Sequence, residues 1–144
     1  MTIDARIRFL KIASVALLIL PGVLTIAGLV LPVRWMIEAF LDVAVLPVDG
    51  AQAVDTDTAK LLAAILGGVL VGFGVMIWRI ADTVFRTDPE LGASLLVPAI
   101  CAWFIADSAG SVMAGAWFNA VLNTVILAAL LYPVVWRRAA LTAA

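Results

Sequence analysis

Four continuous apolar runs, at about 9–31, 59–78, 91–113 and 116–136, limit what this chain can fold into more than any other feature. Each is close to the ~20 residues that an α-helix needs to cross ~30 Å of hydrocarbon. The runs lack the period-two alternation of barrel strands. The spacing therefore predicts an all-α protein: one membrane domain over 1–144, built as a four-transmembrane-helix bundle. Composition points the same way. Of 144 residues 65% are apolar, and the mean hydropathy is +1.18. A soluble domain is roughly 45–50% apolar, and a chain this short cannot hide such an excess in one core. The first run follows Arg6, Arg8 and Lys11. It is too long for a signal-peptide core of about 7–15 residues, so it reads as a retained anchor.

Charge sets an expected orientation. With the N-terminus inside, the cytoplasmic ends hold Arg6, Arg8, Lys11, Arg79, Arg86, Arg137 and Arg138, and the outer side holds Arg34 and Lys60. That is the bias of the positive-inside rule, with both termini cytoplasmic. Trp78, Tyr132 and Trp136 fall at inner ends, Trp35 and Trp117 at outer ends, as interfacial aromatic belts require. Alanine-rich spans without a targeting signal fit a multi-pass protein of the bacterial inner (plasma) membrane.

The outer loop, 32–58, contains its own helical pattern. Arg34, Glu38 and Asp42 recur every four residues, while Met36, Ile37, Phe40, Leu41 and Ala44 take the other side. This predicts a short amphipathic helix, lying on the outer surface or capping the bundle. Pro47-Val-Asp-Gly50 reads as a turn, Asp55-Thr-Asp-Thr58 as a source of N-caps, and Asp88-Pro89-Glu90 as a helix start. The connection at Ala114-Gly-Ala116 is short enough to make spans three and four a tight hairpin. Pro21 and Pro98 each delete a backbone hydrogen bond and predict kinks.

Two features are candidates for function. In span two Ala64, Gly68 and Gly72 recur every four positions, with Gly67 and Gly74 beside them. Small residues let helices approach where lipid removes the hydrophobic drive, so this stripe serves packing within the chain, self-association or docking to a membrane partner. In span three Asp107 is the one ionisable residue deep in a run, and an intramembrane carboxylate is a functional-site hypothesis by default. If the hairpin folds about Gly115, Asp107 is level with Asn123 and Ser111 with Asn119. Each pair is also i, i+4 along its own helix, so two polar rungs stack between the spans. Ser108 and Thr124 lie beside them, and Trp103 is one turn deeper. Asp107, Asn123, Ser111 and Asn119 either bind a proton, cation or ligand head-group, or form a structural staple.

Catalytic chemistry finds no footing. The acids are not paired, and the chain has no histidine and a single cysteine, Cys101, so neither catalytic nor metal-ligating residues, nor any cofactor, are assigned. A net charge of −1 offers no basic field for nucleic acid. The expected partners are the lipid bilayer and a membrane protein, or a second copy of this chain. The leading expectation is a non-enzymatic accessory or assembly subunit, or a homo-oligomer, acting by helix packing. The alternative is a small carrier or binder of a lipophilic ligand or ion that uses Asp107.

The order of features resembles small bacterial four-helix membrane proteins of the DoxX-like group. The resemblance lies in Leu20-Pro-Gly-Val-Leu-Thr-Ile-Ala-Gly-Leu-Val-Leu-Pro32, in Lys60-Leu-Leu-Ala-Ala-Ile-Leu-Gly-Gly-Val-Leu-Val-Gly-Phe-Gly74, and in the polar hairpin from Asp107 to Asn123. It implies a fold and a membrane location, and no activity. The family pattern carries a basic residue near the position where this chain has Asp107.

Overall fold

The computed structural model describes residues 1–141, with side chains through Trp136. The side chains of Arg137 and Arg138, counted above for orientation, lie outside the described residues. All regular structure among the described residues is helical: α1 (Ile3–Ser14), a π-helical turn (Val15–Ile19), α2 (Leu20–Ala27), α3 (Arg34–Val45), α4 (Asp57–Asp82), α5 (Val84–Thr87), α6 (Pro89–Met113) and α7 (Trp117–Leu141). Four stretches are long and apolar enough to cross a membrane: Ile3–Ala27, Asp57–Thr87, Pro89–Met113 and Trp117–Trp136.

The helix starts follow local chemistry. Thr2 Oγ1 accepts from Ala5 N at 3.2 Å and Thr56 Oγ1 from Ala59 N at 3.1 Å. Asp88 Oδ1 accepts from the N–H groups of Glu90 and Leu91, with Pro89 in the first turn. Each side chain satisfies a donor that the first helical turn leaves unpaired. The Thr2 cap starts the first helix at Ile3, well before the apolar run at 9. Arg6, Arg8 and Lys11 therefore ride on the helix instead of preceding it. The same helix stops at Ala27, short of 31, and Gly28, which follows it, sits in close packing. A Cβ there would lie 2.6 Å from Ile37 Cδ1.

Pro21 disturbs its helix as expected, and the disturbance takes a specific form. Proline cannot donate to the carbonyl four residues back, and its ring crowds that carbonyl. The preceding turn widens, and the Leu20 N–H bonds to Val15 O, five residues back. A π turn is one of the recognised causes of helix bending. Pro98, for which a kink is also expected, lies within α6, which continues through it from Pro89 to Met113. The polar segment 79–90 is mostly helical too, since α4 runs to Asp82 and α5 follows one residue later.

At the end that carries the termini, α1, α4, α6 and α7 close on a common core. Leu10, Ile77, Ala81, Phe85, Ile100 and Leu130 are fully enclosed in one cluster. Arg6 is buried there too. Its Nε donates to Pro133 O at 2.6 Å and its Nη2 to Val134 O at 2.9 Å, with the guanidinium 4.7 Å from the Phe85 ring centroid. A charged donor near the end of a helix complements the negative end of its dipole.

Further along, α2 leans on α4 while α3 takes the place beside α7. The contact between α2 and α4 depends on glycine. A Cβ on Gly22 would lie 2.7 Å from Gly67 O, and one on Gly67 would lie 2.8 Å from Gly22 O. Gly74 admits Leu18 and Ile19 in the same way. Close approach in span two thus falls on Ala63, Gly67 and Gly74, the buried stripe of α4, and not on Ala64, Gly68 and Gly72. A Cβ at Gly68 or Gly72 would meet nothing within 4 Å. One residue turns the helix by about 100°, so the expected stripe faces away from the rest of the chain.

Helix α3 forms where the sequence predicted an amphipathic helix, and it caps the bundle. Its polar side is partly covered by the loop that follows, with Arg34 exposed, Glu38 half-buried and Asp42 buried. Glu38 Oε1 accepts from Val54 N at 3.2 Å and Arg34 Nη1 donates to Val54 O at 3.3 Å, so this side-chain pair satisfies both backbone groups of one loop residue. Asp42 is buried, and its Oδ2 accepts from Gly50 N at 2.8 Å. The loop after α3 folds back over the polar face because unpaired loop amides need acceptors.

Candidate functional site

The hairpin of α6 and α7 turns through Gly115, whose φ of +84° suits a residue without Cβ. The turn sets the register that the sequence predicted. Asn123 Nδ2 donates to Asp107 Oδ2 at 2.6 Å and to Ser108 Oγ at 3.2 Å. Asn119 Nδ2 donates to Ser111 Oγ at 2.8 Å and reaches Asp107 Oδ2 at 3.4 Å. All four expected residues, Asp107, Ser111, Asn119 and Asn123, therefore meet in two rungs, and Ser108 joins them. Thr124 does not. Its hydroxyl donates to Ala120 O within its own helix, on the exposed side.

The rungs border a cleft of about 380 Å³. It exists because the first span leaves α7 beyond the π turn and α3 enters in its place. Leu17, Leu18, Pro21 and Leu24 form one wall, Leu66 and Leu70 another, and Met36, Ile37, Phe40 and Leu41 of α3 the roof. Opposite lie Trp103, Asp107, Asn119, Asn123 and Ile126. Trp103 is braced by Phe73, with ring centroids 6.2 Å apart. Phe40 and Leu66 line the cleft and still keep 48% and 46% exposure, so it is open at that edge. The walls are apolar, with polar groups converging at one place, as in many small-molecule sites.

The polar patch is one-sided in its hydrogen bonding. Both asparagine amide groups point their N–H donors at Asp107 Oδ2 or at serine hydroxyls. Among the described residues, no donor reaches Asp107 Oδ1, Asn119 Oδ1 or Asn123 Oδ1. A carboxylate oxygen and two amide carbonyls are thus left as acceptors at the edge of an apolar cleft. Asp107 forms no ion pair among the described residues. Among the described residues, no three histidine, cysteine, aspartate or glutamate side chains gather as a metal site would need. What the arrangement complements is a donor, above all a charged one.

Sequence reasoning found the polar rungs through helical spacing. It missed the apolar walls, since no pattern along the chain says that α2 will part from α7. Nothing local to Arg6 in the sequence signals that it is buried against Pro133 and Val134. The signal that was present is the apolar side of α3, whose Met36, Ile37, Phe40 and Leu41 needed something to cover.

An all-helical chain with four candidate transmembrane helices around an acceptor-lined cleft is the class that fold and site define. No family model, curated protein or solved structure matches the chain.

Proposed function

We propose that this chain is a multi-pass membrane protein that binds a lipophilic amine, its apolar body in the cleft and its protonated nitrogen against Asp107. The observation that carries this reading is the set of donor-less oxygens on Asp107, Asn119 and Asn123, facing a space with apolar walls. In a site where water is scarce, a charged donor to a carboxylate is worth more than a neutral one. An anionic ligand would meet like charge at Asp107. The cleft volume falls in the range of small-molecule sites, roughly 300–1,000 Å³. The reading is non-enzymatic: beside Asp107 the residues lining the cleft include no second acid or base, and the Thr25 hydroxyl donates to Pro21 O within its own helix. With both termini cytoplasmic, as the basic residues favour, the cleft opens in the outer half of the bilayer. The DoxX-like resemblance is consistent with this location and supplies no ligand.

The test is equilibrium binding of decylamine to the purified chain in lipid nanodiscs, with decanoate as the control. Decylamine is expected to bind saturably, and Asp107→Asn to weaken it at least about tenfold, the equivalent of ~1.4 kcal/mol. Stability should change by less than about 1 kcal/mol, since hydrogen bonds between membrane helices average roughly 0.6 kcal/mol. Equal affinity for decylamine in the two proteins would end the proposal.

A second reading, helix packing against another copy or a membrane partner, is favoured by the open face of Gly68 and Gly72. Gly68→Leu together with Gly72→Leu should abolish a self-associated species in cross-linking. Survival of that species would remove these glycines from consideration.

A further inference from the structure

A second concavity, of about 770 Å³, lies at the opposite end of the molecule, on the outer side of the first helix. Its end nearest the N-terminus carries Arg8, Lys11 and Arg86, with Asp4 beside them. Its floor continues along α1 and the π turn through Ile12, Val15 and Ala16 to Leu20. The eight residue steps from Ile12 to Leu20 give about 12 Å of apolar floor. Trp78 forms a side wall beneath the Lys11 ammonium, which lies 4.4 Å from its ring centroid.

The charges are arranged around one vacant balance. Lys11 Nζ pairs with Asp82 Oδ1 at 2.9 Å, and Arg86 bridges Asp82 Oδ1 and Asp4 Oδ1, each at 3.2 Å. Two carboxylates thus fix two cations in position. The third cation, Arg8, is exposed and has no ion pair or hydrogen bond to its side chain among the described residues. The cluster carries one positive charge in excess, and it sits where an apolar groove begins.

We propose that this groove holds an anionic phospholipid, with its phosphate against Arg8 and Lys11 and one acyl chain along Ile12, Val15, Ala16 and Leu20. A phosphodiester supplies the single negative charge that the cluster lacks, and guanidinium is well suited to binding it through paired N–H groups. Basic side chains at a cytoplasmic membrane surface attract anionic lipid, and Trp78 is a residue of the membrane interface. The continuous apolar floor favours a lipid over free phosphate, which would leave it uncovered. The proposal rests on the membrane reading above and is independent of the Asp107 cleft.

Native mass spectrometry of the full chain, purified in detergent and given equal amounts of phosphatidylglycerol and phosphatidylcholine, tests it. Phosphatidylglycerol should be retained in preference, and Arg8→Gln should lower that preference about fivefold, the usual effect of one basic residue near a membrane surface. Arg8→Lys should keep most of it. Val15→Glu, on the floor, should lower retention of both lipids. Equal retention of the two lipids by the native chain, or a preference unchanged in Arg8→Gln, overturns the proposal. Inorganic phosphate displacing phosphatidylglycerol at millimolar concentration would overturn it in favour of a free-anion site. Membrane fractionation separates the two levels: a chain that leaves the membrane without detergent defeats the membrane reading, whereas one that stays but shows no lipid preference defeats only this site.

Discussion

The two ends of the bundle use the same kind of helix to opposite effect. At the end carrying the termini, α1 fits against both α4 and α7, and Leu10, Ile77, Phe85 and Leu130 are sealed from solvent. At the other end α2 follows α4 alone, α3 fills in beside α7, and a cleft remains with Asp107 on its wall. Hydropathy does not distinguish the ends, since all four long helices are strongly apolar. Backbone shape does: the π turn before Pro21 and the glycine contact of Gly22 with Gly67 carry α2 along α4 and away from the hairpin. An open site in an apolar bundle arises where one helix is drawn toward a single neighbour.

If the comparison holds, the same substitution should cost more at the closed end. Leu10→Ala should destabilise by about 3 kcal/mol, in the usual range for a buried leucine. Leu24→Ala, beside existing space, should cost about 1 kcal/mol, because cost grows with how much packing is lost. Thermal unfolding in one detergent measures both, and equal losses would break the comparison. Arg6→Met should cost about 2 kcal/mol through its charge-assisted bonds to Pro133 and Val134. A loss as small as that in Asp107→Asn would show that Arg6 does not clamp α1 to α7. The glycine pair sharpens the account of why the ends differ. Gly67→Ala drives a Cβ toward Gly22 O and Ile26 Cγ1 and should cost about 1–2 kcal/mol by overpacking. Gly68→Ala meets nothing and should stabilise by up to about 1 kcal/mol through helix propensity. Reversal of that order would mean that the exposed face, not the buried one, makes the tight contact.

Much of this architecture is written in local sequence. The four long helices follow from run length, and three of their starts from Thr2, Thr56 and Asp88, whose side chains cap the nearest amides regardless of what the helix later packs against. The rungs of Asp107 with Asn123 and Ser111 with Asn119 were legible because a tight turn at Gly115 fixes the register of two helices of known pitch. Such features depend on groups a few residues apart, or symmetric about one turn.

What the tertiary structure alone decided is which side of each helix meets which neighbour. Gly67 and Gly68 are equivalent in composition and only 100° apart in direction, and packing against Gly22 chose the first. The polar side of α3 was readable, but the bonds that Asp42 and Glu38 accept from Gly50 and Val54 were not, since a backbone amide can take its acceptor from any element that comes within reach. The cleft likewise belongs to no segment, because empty space between helices is set by the angles at which distant pieces of chain cross.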